Sequence, residues 1–287
     1  MDGPGAEDQH ALEPWTAKRA YGLILLLYIV GFGYALASAL AYLHEPGHTT
    51  GRVGATGALV STALVLSTDV AVLALVYFIA KARGLSAVDL GLGRPADKAA
   101  TWRDIDIVLL YWLALLTAGL LSTWLDGSRY PYEHGTWAAL PSLALALNAG
   151  PTEELALLVL PVVLLRQARE PLWRMAIVLV VLRLSFHVYY GLGVLGLTVW
   201  AVAILALYLR TGRALPLIVA HSAYDVLLTV GHFFPATSVL VGLFVLCVLI
   251  LGLVRIGVRA RAGGRHRRGV MAPSTGPAAG TPGVRGA

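Results

Sequence analysis

Long apolar runs, rather than strict alternation, organise this chain. Stretches near 21–43, 56–80, 105–125, 137–165, 174–192, 194–210, 214–232 and 236–256 carry few or no charges. A membrane-spanning helix needs about 20 mostly apolar residues, whereas a barrel strand alternates over about ten. The runs predict an all-α polytopic membrane protein with about eight transmembrane helices. The fourth run contains Gly150-Pro151, where a kink or restart is expected. The first begins near Tyr21 behind a polar segment and is too long for a signal h-region, so it reads as a retained span.

Composition agrees with the pattern. Of 287 residues, 57% are hydrophobic and 13% charged, and the mean hydropathy is +0.73. A soluble domain carries about 25% charged residues, so a water-facing globular domain is excluded. Residues 1–20 read as a polar N-terminal tail, 21–258 as the transmembrane helical domain, and 259–287 as a basic, Gly/Pro/Ala/Arg-rich disordered tail. The loop 83–104 is the longest internal connection and is expected to form an amphipathic interfacial segment. The single cysteine, Cys247, excludes an intramolecular disulfide and a zinc–thiolate centre.

Charge adds an orientation. Lys18 and Arg19, the group from Lys81 to Arg103, the trio Arg166, Arg169 and Arg174, and the pair Arg210 and Arg213 fall in every second connection. Seven arginines lie at or beyond Arg255, while the alternate loops hold only Arg52 and Arg129. Basic loops stay on the cytoplasmic side, so both termini are expected there and the span count is even. The location that follows is the cell (plasma) membrane, multi-pass, with membrane lipids as partners of the basic tail. No nucleic-acid role is read, because residues 259–287 lack aromatic or folded reading elements. Nothing in the pattern sets the oligomeric state.

Ionisable residues inside the spans are few. Each costs roughly 2.5–3.5 kcal/mol at mid-membrane on insertion scales and usually faces a protein interior or a wet cavity. Six fall in three helices: Glu153 and Glu154, Arg183 and His187, His221 and Asp225. The last two pairs are spaced four apart and so share a helix face. The glutamates are adjacent and point about 100° apart, so only one can aim directly at a common point. Glu153 and His187 each stand 13 residues from the basic ends Arg166 and Arg174, roughly 20 Å of helix. A single polar chamber is therefore expected.

Two imidazoles with one or two carboxylates can hold a catalytic zinc with an open position. The same set can activate water without metal. Asp69, beside Ser67 and Thr68, reads as a helix-packing residue. The segment His44-Glu45-Pro46-Gly47-His48 is discounted as a metal site, because its proline and glycine break the helix that would align the imidazoles. His134 and His232 lie near outer span ends and need no special account.

Glu153-Glu154, the segment Arg183-Leu184-Ser185-Phe186-His187 and His221-Ser222-Ala223-Tyr224-Asp225 resemble the three ordered motifs of the CPBP intramembrane proteases. That family includes type II CAAX prenyl endopeptidases and proteins linked to abortive infection and bacteriocin immunity. Its pattern runs EExxxR, FxxxH and HxxxN or HxxxD, and the resemblance covers about 105–232. This chain departs twice: Leu158 stands where the arginine would be, and Arg183 stands where the aromatic would be.

The resemblance implies an intramembrane (metallo)endopeptidase acting on a membrane-associated or prenylated protein. Glu153 would activate water or bind metal, with Glu154 beside it, and His187 would assist that water. His221 with Asp225 would bind metal or stabilise the oxyanion, with Arg183 in support. If zinc (Zn2+) is bound, its ligands would be Glu153, His187 and His221; a metal-independent glutamate mechanism stands as the alternative. Two other readings stay open: a non-catalytic immunity or scaffold protein that keeps the fold, favoured by Leu158 and Arg183, and a proton-coupled transporter, disfavoured by the lack of internal repeats.

Overall fold

The computed structural model describes residues 16–44, 55–126 and 138–270. Within them the regular structure is helical, in the order α1 Ala17–His44, α2 Ala55–Ala82, α3 Lys98–Asp126, α4 Ala139–Glu154, a π-helical turn Leu155–Val159 and α5 Leu160–Gln167. There follow α6 Leu172–Ser185, a 3-10 segment Val188–Gly193, α7 Val194–Thr211, α8 Leu215–Phe233 and α9 Pro235–Val270. Among the described residues, six of these stretches are long and apolar enough to cross a membrane: 17–41, 59–82, 98–126, 139–167, 188–211 and 235–255. The protein is thus an all-helical, multi-pass membrane protein, and eight helical stretches fall where eight runs were read. The remaining two, α6 and α8, carry Arg183 and the pair His221 and Asp225, while Glu153 and Glu154 lie within the 139–167 stretch. At 14 residues, α6 is roughly 21 Å long, short of a hydrocarbon core of about 30 Å.

The fourth stretch departs from expectation in an instructive way. A kink or restart was expected at Gly150-Pro151; α4 does not restart there but continues through Pro151 to Glu154, and the departure from α geometry is the π turn that follows. A proline in a helix deprives the carbonyl four residues back of its partner. Here that carbonyl belongs to Leu147, and the Ser222 hydroxyl of α8 donates to it at 2.8 Å. The donor gets that close because Gly150 has no side chain: a Cβ there would lie 2.5 Å from the Ile218 carbonyl oxygen of α8. The freed backbone group is satisfied by a neighbouring helix, as membrane interiors require.

Small residues set a second close contact. Gly193 and Gly196 lie against Ser122 of α3, and a Cβ at Gly196 would stand 2.5 Å from the Ser122 nitrogen. Such positions let helices approach closely in a membrane, where lipid tails are as apolar as leucine. The core of the molecule is α4–α5 and the π turn: Ala156 to Leu160, Val162, Leu164 and Leu165 are all buried. Around this centre, α4 packs on α8 and α2, α3 on α7 and α8, and α9 on α8 and α3.

Three connections shape the end of the molecule that carries the basic loops. In the loop 83–97 Leu90 is buried, and Gly91, at φ +74°, presents its carbonyl to the N–H groups of Ala214 and Leu215 at 2.9 and 3.3 Å. Asp89 caps the preceding turn, and two hydrogen bonds from Ser86 hold its carboxylate below the usual range. Arg213 pairs with Asp104, and Arg255 of α9 with Asp106 of α3. The helix α9 runs on to Val270, so residues 259–270, read from composition as tail, continue it; arginine and alanine are good helix formers. Residues 271–287, together with His48, Arg52, Arg129 and His134, lie outside the described residues.

Candidate active site

The last turn of α4 ends on Glu153 and Glu154, and the two adjacent carboxylates meet opposite fates. Glu154 is fully buried and its carboxylate collects four donors from three helices. Tyr111 of α3 donates to Oε1 at 2.9 Å, and His221 of α8 through Nδ1 to the same atom at 2.9 Å. Arg183 of α6 closes a two-pronged contact, Nη1 to Oε1 at 3.0 Å and Nη2 to Oε2 at 3.1 Å. Paired guanidinium–carboxylate geometry of this kind gives strong, directional hydrogen bonds. A buried carboxylate is tolerable only when so compensated.

Arg183 is the largest of the fully buried side chains. Besides Glu154 it donates from Nη2 to the Glu153 carbonyl at 3.3 Å. Its guanidinium carbon also lies 4.7 Å from the centre of the Trp200 ring. Trp200 in turn touches the rings of Tyr111, His187 and His221, with centroids 6.1, 6.4 and 5.5 Å away.

Glu153 shares none of this saturation. Its Oε2 is buried with no hydrogen-bond partner, 3.9 Å from Arg183 Nη1 and 4.0 Å from His221 Nε2. Asp225, one turn along α8, stands 3.4 Å from that same Nε2. The imidazole of His221 is therefore strung between Glu154 on one nitrogen and Glu153 with Asp225 near the other. Trp200 Nε1 and Thr152 Oγ1 are likewise buried without partners.

His187 sits just beyond the end of α6, where the helix gives way to a turn and the 3-10 segment. Its Nδ1 lies 2.9 Å from the Arg183 carbonyl. A carbonyl only accepts, so Nδ1 carries a proton, and in the neutral ring Nε2 then carries the lone pair. Tyr190 stacks on the ring at 6.2 Å. Irregular backbone at membrane depth survives only where protein or a cavity surrounds it, and this turn is enclosed by Phe186, Tyr189, Tyr190 and Trp200.

The structure thus gathers Glu153, Glu154, Arg183, His221 and Asp225 directly and joins His187 to them through the Arg183 backbone and Trp200. Asp69 stands apart, accepting from Asn148 Nδ2 at 2.6 Å, a link between α2 and α4. Among the described residues no three His, Cys, Asp or Glu side chains are grouped as a metal site. One nitrogen of His221 is already committed to Glu154. Two participants escaped the sequence reading, Tyr111 and Trp200. Their signal was position, since tyrosine and tryptophan favour the membrane interfaces and these two stand mid-helix in α3 and α7.

Fold and site together define a multi-pass membrane protein with a largely buried cluster of charged side chains contributed by four helices. Residues 135–227 match the family described as Type II CAAX prenyl endopeptidase Rce1-like. The match spans all six polar residues of the chamber and agrees with the resemblance carried by the three motifs. No curated protein and no solved structure matches the chain.

Proposed function

We propose that this protein is an intramembrane endopeptidase that hydrolyses a peptide bond of a membrane-associated or lipidated protein. The observation that carries the reading is the split between the glutamates: Glu154 is saturated by four hydrogen bonds, whereas Glu153 keeps a buried oxygen free of any. A buried carboxylate oxygen that accepts no hydrogen bond from the protein is equipped to take a proton.

In the reaction, Glu153 removes a proton from water and the resulting hydroxide attacks the scissile carbonyl carbon. His187 orients that water through its Nε2 lone pair. The oxygen that gains charge is stabilised by the Nε2–H of doubly protonated His221, which Asp225 steers and Glu154 fixes from the other side. Glu153 then gives its proton to the leaving nitrogen as the C–N bond breaks. Every step uses side chains of the chain itself, so extensive dialysis against a chelator is expected to leave cleavage intact. Both termini and the basic loops face the cytoplasm in this reading, on the positive-inside argument, with eight membrane crossings and a place in the plasma membrane.

The test compares peptide termini of membrane proteins by mass spectrometry in cells expressing wild type or Glu153→Gln. Termini that appear only with wild type support the protease and name its substrates. Identical termini in the two would overturn it in favour of a non-catalytic immunity or scaffold role.

A further inference from the structure

The two departures from the family's sequence pattern meet at one atom group. Leu158 lacks the arginine that the first motif would supply, and Arg183 replaces the aromatic of the second. We infer that these are a single relocation: Arg183 brings in from α6 the guanidinium that a residue at 158 would otherwise place on Glu154, and it acts as a positioning residue for His221 through that carboxylate.

The geometry supports each part. Position 158 follows Glu154 by four residues, which puts it on the same side of the helix within about 40° in α or π geometry. It is buried, in the π turn next to the chamber, and holds an uncharged leucine. Glu154 nonetheless meets one guanidinium, squarely and with both prongs, from a different helix. The arginine's remaining contacts knit it further in, through the Glu153 carbonyl and the face of Trp200. A second buried arginine at 158 would have no carboxylate left unshared except Glu153, whose free oxygen the proposed chemistry needs. Glu154 is already forked by Arg183, so a second cation here would fall on Glu153 or Asp225, the two carboxylates that face His221 Nε2.

The consequence reaches His221. Its Nδ1 bonds the same Oε1 that Arg183 Nη1 holds. When the guanidinium is lost, that oxygen can turn, and the imidazole loses the partner that aims Nε2 toward Glu153 and Asp225. Lysine cannot replace it, because a single ammonium lacks the planar fork.

The experiment uses the full chain, purified in detergent, as wild type, Arg183→Phe, Arg183→Lys, Leu158→Arg and the double variant Arg183→Phe with Leu158→Arg. Melting temperature is read first, since it needs no substrate. Arg183→Phe is expected to lower Tm by about 10 °C or more, by the scale on which losing one partner of a buried pair acts. The double variant should recover to within about 3 °C of wild type. Where Arg183→Phe yields no folded protein, recovery of a monodisperse peak by the double variant is the same result.

The functional arm rests on the protease reading and counts the wild-type-specific termini described above. They should fall at least tenfold in folded Arg183→Lys and return in the double variant. A double variant as unstable as Arg183→Phe, or an Arg183→Phe as stable as wild type, would overturn the relocation. Absence of such termini even in wild type defeats the protease reading instead and leaves the thermal result standing.

Discussion

Two polar regions lie inside this helical bundle, and they are built on different plans. Between α2 and α4, Asp69 accepts one hydrogen bond from Asn148, and the contact is complete. Between α3, α4, α6 and α8, four donors crowd onto Glu154 while its neighbour Glu153 keeps an oxygen unserved. The first region is a staple between helices. The second holds one carboxylate rigidly so that another stays free, a division that has no structural benefit of its own. Buried charge alone therefore does not single out a reactive site in a membrane; in the proposed reading it is the unequal sharing of donors that does.

The sharpest way to break that contrast is at His187, whose lone pair is fixed by the Arg183 carbonyl. His187→Ala should slow cleavage by about two to four orders of magnitude while leaving thermal stability near wild type, as read in a melting scan beside a turnover assay. Next in size is the saturated carboxylate. Glu154→Leu strips Arg183 of its two-pronged partner, leaving only Glu153 Oε2 at 3.9 Å, and should cost about 3–5 kcal/mol; adding Arg183→Leu should return a large part of that loss, since removing both members of a buried pair is far cheaper. A double-mutant cycle in denaturant would show this coupling, and additive losses would contradict it.

Smaller effects belong to the staples. Ser222→Ala strips the donor from the carbonyl that Pro151 orphans and should cost about 1–2 kcal/mol. Asn148→Ala should cost about 0.6–1.7 kcal/mol, the range of interhelical hydrogen bonds in membranes, and should leave turnover within about twofold. A hundredfold loss of activity in Asn148→Ala would move Asp69 and Asn148 into the machinery and dissolve the contrast.

Much of this was legible in the sequence because the membrane makes its demands bluntly. Apolar runs gave the helices, and the four-residue spacing gave His221 with Asp225 on one helix; His187, expected on a face of α6, lies past its end and meets Arg183 through the backbone carbonyl. Four features were not legible, each for a physical reason. Pro151 suggested a break, but its cost is met by Ser222 and Gly150 through a helix far away in sequence. Tyr111 and Trp200 carry no charge and so look like apolar filling until their neighbours are known. The shortness of α6 was hidden because the residues after Ser185 stay hydrophobic while the backbone leaves the helix. The unequal fates of Glu153 and Glu154 depend on which way each side chain points, and adjacent residues in a sequence say only that they differ.

Membrane burial sharpens the same lesson. The helix stretch that bears the glutamates has half of its span buried in the molecule, against 6% for α9. Leucines cover both equally well, so hydropathy ranks α9 highest while the chemistry sits in the less apolar stretch.

The division of labour between the two glutamates is tested most directly by making Glu153→Gln and Glu154→Gln separately and measuring melting temperature and substrate cleavage on each. Glu153→Gln is expected to abolish cleavage with Tm little changed, because the Oε2 that is lost makes no hydrogen bond and its two cationic neighbours stand 3.9 and 4.0 Å away. Glu154→Gln should lower Tm by several degrees, about 2–4 °C for each kcal/mol lost. A Glu153→Gln protein that cleaves at the wild-type rate would contradict the account.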